Sequence, residues 1–187
     1  MSDHVFGYGS LVLEGPGAIA VLPGHRRVWG VATDNVRHIP GYKLYLDRSD
    51  GSQPEIYVAF VDIEPDPASS VRGLVRPLAD GELEDLDARE RNYDRIDVTD
   101  LIATDFGGPV WTYRGSAEGR ERLARGRAEG RAVVSRDYLE KVRAGFAALG
   151  PEHERAFAAS SSLDDLPVLD LERLDLPPDP PPPRERE

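Results

Sequence analysis

The first stretch whose residue types could bind a ligand lies near the start of the chain. Tyr8-Gly9-Ser10-Leu11 follows Val5 and Phe6, whose β-branched and aromatic side chains predict a strand. Gly7 and Gly9 let a ligand approach main-chain atoms closely, and successive N–H groups in such a loop can form a concave anion site. The pattern predicts a strand ending in a loop that holds something small and negatively charged. A glycine-bent strand end that binds nothing fits the same residues equally well.

A carboxylate on a helix is the second candidate for chemistry. Residues 80–91 predict a helix, with Asp80 as its N-cap and Leu83 and Leu86 on one face. Glu90 comes seven residues after Leu83, about two helical turns, so the two side chains project in line. The apolar face of this helix therefore contains a carboxylate, which could take a proton from a substrate and return it. Spacing alone equally allows a solvent-exposed Glu90 at a frayed helix end.

Other catalytic patterns fit the chain less well. Residues 7–12 depart from the dinucleotide-binding fingerprint at Val12, where the third small residue belongs. A nucleophile elbow needs glycines two residues before and two residues after its serine, and Tyr8 and Val12 stand at those positions around Ser10. A serine hydrolase is therefore the most distant alternative. Asp87, near the same helix face as Glu90, is the reserve carboxylate. The four histidines show no metal-ligand spacing, so we expect no metal site.

Three segments resemble the γ-glutamylcyclotransferase-like superfamily. Tyr8-Gly9-Ser10-Leu11 after an apolar strand resembles its signature loop. Residues 86–98 are similar to its LD-x-x-E segment, in which the glutamate, here Glu90, is the general acid/base. Residues 135–142 resemble its late S-x-x-Y-L-x-x-V helix, which contains Tyr138. The three segments follow the order that the superfamily has.

Parts of the chain resemble one branch of the superfamily in particular. Residues 6–11 and 24–29 are similar to the glutathione-degrading, ChaC-like branch. Residues 35–53 follow that branch only loosely, and its tryptophan-rich continuation after Leu11 is missing. The resemblance therefore indicates the superfamily more strongly than the branch, and it leaves open whether residues 35–53 close over the pocket.

The resemblance implies an enzyme that cyclises a γ-glutamyl group to 5-oxoproline and releases an amine, amino acid or peptide. The substrate's own α-amino group attacks its side-chain carbonyl, so the enzyme needs no nucleophile, which agrees with a chain that has no cysteine. The implied catalytic residue is Glu90, and no cofactor is implied. The implied substrate-binding residues are Tyr8, Gly9, Ser10, Leu11 and Tyr138, of which Tyr138 has the helical spacing of a core aromatic as well.

Two further functions remain open at this point. The same loop and glutamate could hold a γ-glutamyl-like metabolite without turning it over, which would make the chain a binding module. Another lyase of this fold could remove a γ-glutamyl group from an amine or a protected intermediate rather than from glutathione. Binding without product release would identify the binding module, and a comparison of substrates would distinguish the other lyase from an enzyme that acts on glutathione.

Composition limits the partners that we expect. The chain has 187 residues and a net charge of −11, which argues against nucleic-acid or anionic-membrane binding but leaves room for a small anionic substrate in a local pocket. It has no apolar run long enough for a transmembrane helix and no signal-peptide pattern at residues 1–4. We therefore expect a cytoplasmic protein with a small-molecule γ-glutamyl substrate; the composition makes no prediction of oligomeric state.

The order of elements predicts an α+β fold. Six or seven short strands precede the helices, which favours a small mixed β-barrel or a strongly curved sheet of about six strands flanked by helices. Pro65-Asp66-Pro67 is expected to end the strand that starts near residue 55. Residues 1–159 are assigned to this domain, residues 160–176 to an extended leucine- and aspartate-rich strap, and residues 177–187 to a proline-rich tail of polyproline II or disordered character.

Overall fold

A computed structural model describes residues 2–163 and 165–177, and all but the first residue of the proline-rich tail lie outside that range. The described residues form nine strands, four α-helices and two short 3₁₀ helices. The strands are β1 (His4–Gly7), β2 (Ala18–Asp34), β3 (Lys43–Asp47), β4 (Tyr57–Pro77), β5 (Tyr93–Asp97), β6 (Val110–Gly115), β7 (Ala132–Ser135), β8 (Val168–Leu169) and β9 (Leu171–Asp175). The helices are α1 (Glu82–Arg89), α2 (Ala117–Ala128), α3 (Arg136–Leu149) and α4 (Pro151–Ser160), and the 3₁₀ helices are Ser10–Leu13 and Thr99–Leu101.

A long antiparallel ribbon of β2 and β4 is the scaffold of the fold. The two strands pair from Ala18 opposite Val75 to Asp34 opposite Tyr57, with two register shifts in β2. The prediction that Pro65-Asp66-Pro67 ends a strand was wrong, because β4 runs through these residues. Over residues 59–73 the described strands give β4 no partner besides β2, and the register with β2 skips residues 66–69. Pro65 therefore lies in an edge segment and Pro67 in an unpaired interruption of the ladder, where a missing N–H removes no ladder bond.

The ribbon belongs to a curved, mixed sheet of seven strands. The order is β5-β6-β1-β4-β7-β8, with β2 on β4. β1 lies between β4, to which it is antiparallel, and β6, to which it is parallel. The end of β1 packs so closely on β4 that a Cβ at Gly73 would lie 2.3 Å from the Gly7 carbonyl oxygen. This arrangement, flanked by four helices, confirms the predicted α+β class with a strongly curved sheet.

The helices cover the sheet through a few large apolar contacts. On α3, Val142 and Phe146 are fully buried, and the Phe146 ring stacks on Phe157 of α4 at a centroid distance of 4.9 Å. On α1, Leu86 is buried and Leu83 partly buried, as the sequence predicts. The expected N-cap at Asp80 was wrong, since Gly81 takes that position in a left-handed conformation. No helix in the described range is long and apolar enough to cross a membrane.

The end of the described chain adds β8 to the seven-stranded sheet and pairs β9 with β3 in a separate two-stranded sheet. β9 pairs antiparallel with β3, which places Asp175 opposite Lys43 and Arg173 opposite Tyr45. Leu171 is fully buried in a cluster that includes Val58. The chain from residue 160 onward therefore contributes both a strand and a core residue.

We predict that Leu171→Ala lowers the free energy of unfolding by about 2–4 kcal/mol, because it removes a fully buried side chain and leaves a cavity. Leu174→Ala, in the same strand but 38% exposed, should cost less than about 1 kcal/mol. Urea unfolding of both variants measures the difference. If both variants lower the free energy of unfolding by the same amount, the burial of Leu171 does not stabilise β9.

Candidate active site

Two connected depressions lie where β1, α1 and α3 meet. The inner pocket has a volume of about 30 Å³, room for a single small group, and it is lined by Tyr8, Gly9, Ser10, Leu11, Val61, Glu90, Tyr93, Tyr113 and Tyr138. The outer cleft has a volume of about 350 Å³ and shares four of these residues: Ser10, Glu90, Tyr93 and Tyr138. Its other walls come from β3, β4, α1, α3, β9 and the loops before β2 and β3. They are Glu14, Gly41, Tyr42, Lys43, Tyr45, Phe60, Arg89, Lys141, Arg173 and Asp175.

Residues 8–11, the signature loop, form one wall of the inner pocket. A Cβ on residue 9 would lie 2.7 Å from a methyl carbon of Val61 and 3.5 Å from the Tyr138 hydroxyl, so only glycine leaves the pocket open there. The carbonyl of Gly9 accepts a hydrogen bond from Val12 N–H at 3.2 Å as the 3₁₀ helix begins. The first N–H groups of a helix have no intrahelical acceptor, so those at Ser10 and Leu11 are available to a ligand in the pocket.

Arg27 on β2 holds this loop from behind. Its guanidinium, 5% exposed, donates to the carbonyl oxygen of Tyr8 at 3.0 Å, to that of Arg72 at 2.7 Å and to the Ser160 hydroxyl at 2.6 Å. It also lies over the Phe146 ring at 4.8 Å. Burial lowers the pKa of Arg27 to about 10, so the group keeps its charge at neutral pH. One buried cation thus ties the signature loop to β4 and α4.

Glu90 reaches the pocket because helix α1 ends there. Leu86 packs in one apolar cluster with Leu11, which brings the helix against the signature loop. Glu90 is the C-cap residue, and its side chain is 19% exposed. Its Oε1 accepts a hydrogen bond from the Arg89 Nε at 3.2 Å, while Oε2 has no hydrogen-bond partner among the described residues. One carboxylate oxygen is therefore oriented and the other is free for a ligand.

The turn that follows Glu90 is fixed by Asn92, which is buried. Its carbonyl oxygen accepts from Ser116 N–H at 2.9 Å, and its amide nitrogen donates to the Thr33 hydroxyl at 3.0 Å. Its side-chain oxygen accepts from Arg122 at 2.8 Å. These bonds fasten the end of α1 to β2 and α2, so the Glu90 carboxylate sits on rigid elements.

Four tyrosines line the inner pocket. Burial raises the pKa of Tyr8, Tyr93, Tyr113 and Tyr138, so all four are protonated at neutral pH and can only donate or accept hydrogen bonds. The Tyr8 and Tyr93 hydroxyls donate to the carbonyl oxygens of Tyr113 and Val61. Glu90 is the only carboxylate lining the inner pocket within the described part of the chain.

The structure brings all six residues singled out from the sequence to the inner pocket: Tyr8, Gly9, Ser10, Leu11, Glu90 and Tyr138. Asp87 lines neither depression, because its carboxylate accepts from the Tyr113 hydroxyl and pairs with Arg95. No histidine lines either depression among the described residues, which leaves Ser10 without the base that a serine hydrolase needs.

Several residues of the site were not found from the sequence. Tyr93 and Tyr113 line the inner pocket, but neither has a spacing in the sequence that marks it as a site residue. Lys43 belongs to the loosely matching segment 35–53, which the structure places on the wall of the outer cleft.

The chain matches one known protein family over most of its length. Residues 5–139 match the family described as Gamma-glutamyl cyclotransferase, AIG2-like. The matched range contains the signature loop, Glu90 and Tyr138, and it confirms the superfamily but specifies no branch within it. A comparison with curated proteins gives no match.

The fold of this chain is similar to those of several solved structures. A structure titled "Gamma-glutamyl cyclotransferase" has 16% identity and a TM-score of 0.53, with 88% of this chain and 90% of that one covered. An uncharacterised human protein has 17% identity and a TM-score of 0.53, with 86% and 89% covered. YkqA from Bacillus subtilis has 15% identity and a TM-score of 0.55, but only 56% of its own chain is covered against 89% of this one. At these identities the likeness establishes the fold alone.

We predict that Arg27→Met lowers the free energy of unfolding by about 2–4 kcal/mol, because the buried carbonyl of Tyr8, the part-buried carbonyl of Arg72 and the Ser160 hydroxyl lose their donor. Arg26→Met is the matched control, since that side chain is 58% exposed and its one ion pair within the described residues is with Glu64. The free energy of unfolding of this variant should fall by less than about 1 kcal/mol. Denaturant unfolding distinguishes the two. If Arg27→Met lowers the free energy of unfolding no more than Arg26→Met does, Arg27 does not stabilise the loop.

Proposed function

The chain belongs to the Gamma-glutamyl cyclotransferase, AIG2-like family, and we propose that it cyclises the γ-glutamyl group of a small substrate to 5-oxoproline. The observation that carries this proposal is the position of Glu90. Glu90 lines the inner pocket together with the signature loop, and one of its carboxylate oxygens has no hydrogen-bond partner among the described residues. Proton acceptor and main-chain donors therefore line one small pocket, as this reaction requires.

In the proposed reaction the substrate supplies its own nucleophile. The α-amino group attacks the γ-carbonyl carbon, so that a C–N bond closes a five-membered ring and the C–N bond to the leaving amine breaks. Glu90 takes the proton that the α-ammonium must lose and returns it to the leaving nitrogen. The enzyme's main task is to fold the substrate into a ring-closing conformer, which supplies a large part of the rate.

The signature loop is suited to the charge that develops during attack. When the carbonyl carbon becomes tetrahedral, its oxygen becomes negative, and N–H groups at Ser10 and Leu11 can stabilise it. The inner pocket has room for a small group such as this oxygen, and the outer cleft has room for the rest of a γ-glutamyl compound. The protonated hydroxyls of the tyrosine wall offer no competing base, so proton transfer falls to Glu90.

We predict that purified protein releases 5-oxoproline from at least one of glutathione, a γ-glutamyl dipeptide and a γ-glutamyl amine, assayed by mass spectrometry. Glu90→Gln should keep the fold but lower kcat by about 100- to 10,000-fold, because the amide cannot accept the proton. Glu84→Gln, an exposed change on the same helix, is the control and should keep its activity.

Two results would contradict the proposal. Normal turnover by a folded Glu90→Gln protein would remove Glu90 from the chemistry. Measurable binding of these compounds without any 5-oxoproline would instead make the chain a binding module for γ-glutamyl-like metabolites, and calorimetric titration of the same three compounds detects that outcome.

A further inference from the structure

The two lysines of the chain lie in one place. Basic residues number 23, of which only Lys43 and Lys141 are lysines, and both line the outer cleft. Lys141 is exposed on α3, whereas Lys43 on β3 is partly buried. A lysine presents a compact point charge, and a partly buried one without a counter-ion is costly unless a ligand supplies the opposite charge.

Lys43 is held in position by aromatic rings. Its ammonium lies 4.1 Å from the centroid of the Phe60 ring and 5.3 Å from that of Tyr42. Phe60 in turn packs edge-to-face on Tyr138, at 4.9 Å between centroids, so only one ring separates the ammonium from the inner pocket. The described residues offer Lys43 neither a salt bridge nor a side-chain hydrogen bond.

The two arginines of the outer cleft are already paired with carboxylates. Arg89 contacts Glu14 at 2.9 Å and Glu90 at 3.2 Å, and Arg173 contacts Asp175 at 2.5 Å. Lys43 therefore adds positive charge to a cleft in a chain whose net charge is −11. The net negative charge of the protein repels anions in general, whereas a local positive site attracts an anionic group at one defined place.

The backbone that presents Lys43 is also fixed. Asn35, fully buried, exchanges two hydrogen bonds with the main chain of Tyr45, at 2.7 and 2.9 Å. Strand β9 pairs with β3 on its other side, so that Asp175 stands opposite Lys43. The ammonium is thus presented by a strand that is held on both sides, as a specificity site requires.

We propose that Lys43 binds a carboxylate on the leaving group of the substrate, so that the protein selects γ-glutamyl amino acids or peptides over γ-glutamyl amines. This proposal rests on the proposed function of the inner pocket. In a γ-glutamyl amino acid the carboxylate follows the scissile nitrogen after a single carbon atom. With the reacting carbonyl in the inner pocket, the leaving group extends into the outer cleft, where the Lys43 ammonium can pair with that carboxylate.

The ionisation of Lys43 gives the selectivity a pH dependence. Burial, and then the positive charge of Arg173, lower the pKa of Lys43 to about 8. Below that pH the ammonium is charged and pairs with a carboxylate; above it the charge is lost, and selectivity for the carboxylate should fall. The charged groups that share the cleft with Lys43 are Glu14 after the first 3₁₀ helix, Arg89 and Glu90 at the end of α1, Lys141 from α3, and Arg173 and Asp175 from β9.

The test uses two compounds that differ only in the carboxylate, γ-glutamylalanine and γ-glutamylethylamine. In Lys43→Met, the ratio of kcat/KM for the first to that for the second should fall about 10- to 100-fold, mainly through KM for γ-glutamylalanine. Lys43→Arg should restore part of the ratio. Arg48→Met removes a positive charge outside the cleft and should leave the ratio within about 2-fold. In the wild type the ratio should fall as pH rises through about 8.

Each other outcome overturns the proposal. If the kcat/KM ratio is unchanged in Lys43→Met, or if kcat/KM falls equally for both compounds, Lys43 does not bind the carboxylate of the leaving group. If the kcat/KM ratio falls in Lys141→Met but not in Lys43→Met, Lys141 binds the carboxylate and the proposal for Lys43 is wrong. If the wild type makes no 5-oxoproline, the proposed function fails, and calorimetric binding of the two compounds to wild type and Lys43→Met then decides on Lys43 separately.

Discussion

The buried guanidinium of Arg27 is the interaction on which the geometry of the site depends. It sits behind the signature loop and satisfies carbonyl groups of Tyr8 and Arg72 together with the hydroxyl of Ser160. A buried charge is stable only when such partners surround it. Because those partners belong to the loop, to β4 and to the end of α4, the cation can keep its place only while all three elements keep theirs.

From that fixed loop the rest of the site follows by packing. Leu11 of the loop and Leu86 of α1 share one apolar cluster, so the helix ends with Glu90 against the pocket. β3 and β9 then close the outer cleft and present Lys43. In this account one inner set of groups performs ring closure, and a separate outer group recognises the leaving group. Chemistry and selectivity are thus assigned to different elements of the fold.

The sequence predicted the parts of the site that local spacing determines. The loop at residues 8–11 and Glu90 could be found because their residue types and positions relative to apolar neighbours are visible in the chain. Arg27 could not, because an arginine beside another arginine in a strand gives no sign of which one faces the core. The break at Pro65 and Pro67 was wrong for a related reason: whether a strand has one partner or two is set by residues far away in sequence. Lys43 lacks a local signal as well, since its partners come from β4 and β9.

A crystal structure of Glu90→Gln with γ-glutamylalanine would test the account most directly, since this variant should bind the compound without consuming it. We predict the γ-carbonyl oxygen in the inner pocket within hydrogen-bond distance of the Ser10 or Leu11 N–H, with the α-amino group beside residue 90. A separate depression of about 820 Å³ is lined by Asp62 and Arg120, among other residues. Ligand bound there, or a γ-glutamyl group turned away from the signature loop, would contradict the assignment of the active site.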